Sequence, residues 1–66
     1  MSTAKVIEIF AEGKSVENAI ENGLADASKT VKNIQGLYVN EIKALIENNT
    51  VAGYRVNLKV TFLINN

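Results

Sequence analysis

The pattern of apolar and polar positions resolves the 66-residue chain into four segments. Lys5 to Ala11 reads K-V-I-E-I-F-A, a β-branched and aromatic run broken by Lys5 and Glu8. That composition predicts a strand buried over much of both faces. Glu12-Gly13-Lys14 reads as a turn. From Ser15 to Ile34 the apolar residues Val16, Ala19, Ile20, Leu24, Ala27, Val31 and Ile34 recur in steps of three and four. This spacing puts one apolar stripe on a helix. Ser15 is a favourable N-cap, Glu17 suits the first turn, and Lys29 and Lys32 suit the C-terminal end of the dipole. Gly23 lies on the stripe and costs about 1 kcal/mol against Ala, so it predicts a close backbone approach to the sheet or a neighbour.

Gln35-Gly36 punctuates, and Leu37 to Glu47 (L-Y-V-N-E-I-K-A-L-I-E) reads as a strand with a mixed pattern. Asn48-Asn49 fits a two-residue hairpin turn, because Asn tolerates positive φ. Thr50 to Ile64 then alternates, with Ala52, Tyr54, Val56, Leu58, Val60, Phe62 and Ile64 on one face and Gly53, Arg55, Asn57, Lys59 and Thr61 on the other. One buried and one polar face follow.

The order is β-α-β-β in one domain spanning residues 1–66. The first two strands run the same way and the third against both. An all-antiparallel α+β sheet then has order 1-3-2, with the helix on its apolar face. A turn at Asn48-Asn49 pairs residue i with residue 97 − i across the hairpin. Leu37 then faces Val60, Val39 faces Leu58 and Leu45 faces Ala52. Gly36, Tyr38, Asn40 and Ile42 share the polar side with Thr61, Lys59, Asn57 and Arg55. Glu41 and Lys43 fall on the apolar side. The distal hairpin outruns the helix and leaves Tyr54, Leu45 and Ala52 exposed until another copy covers them, which predicts a protein interface.

Composition narrows the chemistry. The chain has no Cys, His, Trp or Pro. Thiolate and histidine catalysis and Cys-ligated metals are therefore excluded. Seven Lys and Arg balance seven Asp and Glu, without the basic stripe of a nucleic-acid binder. No secretory or membrane-spanning run is visible, so the expected location is the cytoplasm. So short a chain is marginal alone, and with neither disulfides nor structural zinc the remaining remedy is self-association. The acids Glu8, Glu12, Glu17, Glu21, Asp26, Glu41 and Glu47 lack calcium-loop spacing.

The chain resembles the dodecin family over nearly its whole length, without gaps. The stretch Ser15 to Ile34 resembles the family helix, with Ala27-Ser28-Lys29-Thr30 and Asn33-Ile34 especially close. Val39 with Glu41-Ile42 resembles the second strand, and Tyr54, Val56, Leu58-Lys59-Val60 and Phe62 resemble the third. The resemblance implies a hollow homododecamer and a non-catalytic store for flavins (riboflavin, FMN or FAD) bound between subunits. Calcium and coenzyme A are linked to other members. Flavin-binding members stack a Trp on the ring from the position of Gly36 and hydrogen-bond its polar edge with a Gln at the position of Arg55. Here Gly removes the stack, and Arg brings donors without an acceptor.

Gly36, Tyr38, Arg55 and Asn57 are the candidate ligand-binding residues. Tyr38 either replaces part of the missing stack or packs against Lys59. Arg55 either grips a phosphate or carboxylate or forms an intersubunit salt bridge with Glu41 or Glu47. The alternative function is a structural shell with no organic ligand, holding a metal ion such as calcium between subunits. A small carboxylate- or Tyr-dependent enzyme is a third reading, with no catalytic constellation to carry it.

Overall fold

The computed structural model describes residues 2–65. The elements are β1 (Ser2–Gly13), α1 (Val16–Ala27), β2 (Ile34–Glu47) and β3 (Thr50–Asn65). The three strands form one antiparallel sheet in the order β1-β3-β2. The α+β class, the element order and the sheet order are those the pattern predicts.

Local chemistry sets the helix ends. The Ser15 side chain, on extended backbone, accepts a hydrogen bond from the Asn18 amide at 3.0 Å. The Asn18 side-chain oxygen in turn accepts from the Lys14 amide at 2.9 Å. One of the helix's orphan amides is so satisfied, and the residue before the cap is tied to the first turn. At the other end α1 stops at Ala27, short of the expected Ile34. The Ser28 hydroxyl donates to the Ala25 carbonyl at 3.0 Å, and the Thr30 and Val31 amides both turn back to the Ala27 carbonyl. Ser, Thr and Val are poor helix continuers for these reasons. Asn33 then takes φ 63° and redirects the chain into β2. Lys29 and Lys32 consequently lie beyond the helix, and Ile34 is a strand residue paired with Phe62.

The helix packs on the face carrying Val56, Leu58 and Val60, all fully buried, and contributes the buried Ala19 and Ala27. Ile9, Ala11, Leu37 and Val39 extend this core. Gly23 marks the closest approach: a Cβ there would stand 2.6 Å from Leu58 Cδ1 and 3.1 Å from Ala11 Cβ. The close approach expected from its place on the stripe is to the sheet.

Asn48 and Asn49 take φ 52° and 62°, the doubly left-handed turn that suits the strand twist. The hairpin register holds as 97 − i for Gly36 through Val39 and again for Ile46 and Glu47. Between them it slips by one. Asn40 is an extra residue in β2, and the slip is undone near Ala52 in β3. A bulge of this kind inverts which side chains face which side. Ile42 therefore faces Val56, not Arg55, and Leu45 faces Gly53, not Ala52. Glu41 faces Asn57 and Lys43 faces Arg55, which moves both charges off the apolar side.

The molecule is 51 Å long, whereas a 12-residue helix spans only about 18 Å. The hairpin therefore runs well past its cover. Ile42, Ile46 and Val51 are exposed there along with Ala52, while Tyr54 and Leu45 are half-buried. β1 also differs from the expected strand with two buried faces, because Val6 and Phe10 point to solvent.

Candidate functional site

The candidate residues all lie on the sheet face turned away from the helix. Register arranges that face in rows across β1, β3 and β2: Val6–Thr61–Gly36, Glu8–Lys59–Tyr38, Phe10–Asn57–Glu41 and Glu12–Arg55–Lys43. Gly36 and Tyr38 belong to the first two rows, Asn57 and Arg55 to the last two. Six strand positions separate Arg55 from Thr61, the partner of Gly36, or roughly 20 Å. One chain does not bring Gly36 and Arg55 to a single small ring.

Around Gly36 the face is open, and a Cβ there would meet no atom within 4 Å. Tyr38 is 64% exposed. It stands next to Lys59 in register and is not packed into the core.

The last two rows frame a cavity of about 350 Å³ lined by Phe10, Glu41, Ile42, Lys43, Arg55 and Asn57. Asn57 is its floor and is only 3% exposed. Its side-chain oxygen accepts from the Asn40 amide at 2.9 Å, and its nitrogen donates to the Ile9 carbonyl at 3.4 Å. This amide thus ties all three strands together, and the bulge is what aims Asn40 at it. Such a buried amide needs these partners, because an unpaired one costs about 1–3 kcal/mol. Arg55 is held by Glu12 of its own chain: Nε donates to Oε2 at 2.8 Å, and Nη2 reaches the same oxygen. Within the chain the ion-pair partner is Glu12. The guanidinium is already engaged by a carboxylate before any outside anion arrives.

Phe10 and Glu12 were not among the residues singled out from the sequence. The signal is nevertheless present. Glu8 and Glu12 flank Phe10 at a spacing of two, so all three share one face of β1. Lys43 joins the cavity only because of the Asn40 bulge. Among the described residues no group of three or more His, Cys, Asp or Glu side chains is placed to hold a metal ion.

The Dodecin family model matches residues 3–65. Among solved structures, dodecin from Streptomyces davaonensis is 29% identical and superposes with a TM-score of 0.92 over 98% of this chain and 97% of that one. The tt0972 protein from Thermus thermophilus is 30% identical, with a TM-score of 0.93 over 100% of this chain and 98% of that one. Dodecin from Streptomyces coelicolor is 27% identical, with a TM-score of 0.92 over 98% and 94%. No curated protein matches the chain.

Proposed function

The chain belongs to the dodecin family, and from that premise we propose that it is a non-catalytic small-ligand-binding protein working as a homo-oligomer. The assembly is a hollow shell of twelve copies, and the ligand is a flavin-type ring held between copies. The observation that carries this reading is the outer face of the sheet. There two aromatic rings stand clear of the core: Phe10 lines an open cavity, and Tyr38 lies one row away in register. A face of that kind suits a planar ligand closed in by a second chain.

Surface area supports association. A compact monomer of 7.2 kDa exposes about 4,100 Å². This chain exposes 4844 Å², and the surplus includes the apolar residues of the uncovered hairpin. Because Gly36 supplies no stacking ring, flavin is held here by the remaining aromatics and polar groups, and more weakly than a Trp pair would hold it. A second reading, a shell with no organic ligand, is favoured by the bare backbone at Gly36. Titration of riboflavin with the purified protein separates the two. Saturable quenching of its fluorescence supports ligand storage. Unquenched riboflavin at high protein concentration leaves the empty shell.

A further inference from the structure

Two packing requirements meet at adjacent positions in α1. Asn22 is exposed, and its side-chain nitrogen donates to the Glu12 carbonyl at 2.9 Å, tying the helix to the end of β1. Gly23 is buried, and a Cβ there would stand 2.6 Å from Leu58 Cδ1. One position uses a short amide, and the next admits no side chain. Together they write Asn-Gly, and no other Asn of the chain precedes Gly. That dipeptide carries a chemistry of its own. Without a Cβ on the second residue, nothing hinders its amide nitrogen from approaching the Asn side-chain carbon.

The folded helix withholds that approach. Gly23 lies within Val16–Ala27, where its N–H is committed to the carbonyl of Ala19, four residues back. Helical ψ also turns the Gly23 nitrogen out of line with the Asn22 side-chain carbon. A helix of 12 residues is marginal in water by itself, so the shield is its packing on the sheet.

We propose that Asn22 is a self-deamidation site, shielded while α1 is packed and released when the helix opens, and that its conversion retires the opened chain. The Gly23 nitrogen attacks Asn22 Cγ and forms the new C–N bond of a succinimide. The Cγ–Nδ2 bond breaks, and the Gly23 amide proton leaves with the side-chain nitrogen as ammonia. Water then opens the ring at either carbonyl, giving aspartate or isoaspartate. The reaction needs water alone, without oxidant, cofactor or bound ligand. Both products replace the donor to the Glu12 carbonyl with an ionised carboxylate that can only accept. Isoaspartate also threads the side-chain Cβ into the backbone, beside the contact with Leu58.

The test ages the wild-type protein in warm, mildly alkaline buffer, one sample folded and one unfolded in urea, and follows every Asn by peptide mass spectrometry. Asn22 should convert first among the Asn residues in urea, and about 100-fold or more slowly in the folded sample. Equal rates at Asn22 in the two samples, or another Asn converting ahead of it in urea, overturns the proposal. Urea is then removed. Chains converted at Asn22 should be depleted from the refolded fraction, and chains that refold in proportion overturn the claim that conversion retires them. The Asn22→Gln variant keeps an amide but closes its ring more slowly, so after the same ageing it should recover as it does without ageing. An equal loss of refolding in N22Q assigns the damage elsewhere and counts against Asn22.

Discussion

Restoring a ring at position 36 should turn a weak flavin binder into a strong one. Gly36 lies on the outer face of β2, and a side chain built there has no atom within 4 Å of its Cβ. The first atom of a new side chain at position 36 therefore meets no clash within its own chain. Gly36→Trp also replaces a residue that strands disfavour with one they favour. Stacking of an aromatic side chain on a heterocyclic ring is worth about 1–3 kcal/mol. A ligand held between two copies meets two such rings, or about 2–6 kcal/mol. At 1.4 kcal/mol per decade this is roughly 30-fold to 10⁴-fold in affinity. Ordering the two indoles costs about 1–3 kcal/mol together, which leaves a net gain of about 1–3 kcal/mol, or roughly 5- to 150-fold. The assay is riboflavin fluorescence quenching on wild type, G36W and G36A at matched subunit concentration. G36A should bind like wild type, because it changes the backbone without adding a ring. A G36W affinity within threefold of wild type, in an assembly of unchanged size, would refute the placement of the stack at this position.

Two substitutions probe the fold that positions the site, each read by urea unfolding at fixed protomer concentration, since assembly couples to stability. Gly13→Ala would set a Cβ 2.5 Å from the Ala19 nitrogen, in the backbone of the first helical turn. It should destabilise by roughly 1–3 kcal/mol, and equal or raised stability would contradict the close approach. Asn40→Ala removes the donor to the buried Asn57 oxygen and should cost roughly 1–3 kcal/mol, with a loss below half a kcal/mol counting against the three-strand amide tie.

The elements were legible where pattern and backbone demand coincide. The run from Val56 to Val60 alternates because one face of β3 is sealed by the helix. Asn48-Asn49 reads as a hairpin turn because both residues must take positive φ, and they do. Reading failed where a single residue changes the phase. The bulge at Asn40 leaves only a faint trace, the step of three from Val39 to Ile42 within an otherwise alternating strand. Missing it placed Glu41, Ile42 and Lys43 on the wrong faces. Spacing alone carries the helix on to Ile34, because Val31 and Ile34 keep its period. They are partly buried through the following turn and β2 instead. Of the candidate site, the shared face of Gly36, Tyr38, Arg55 and Asn57 was legible from strand parity. The Glu12 partner of Arg55 was not, because it depends on the β1–β3 register, which no local turn fixes.

Native mass spectrometry of the purified protein tests the central claim most directly, since it reports subunit number and retained ligand in one spectrum. Twelve chains of 7.2 kDa give a species of about 86 kDa, with additional mass on adding riboflavin. A monomer at 7.2 kDa, with no ligand-bound species, would contradict the account.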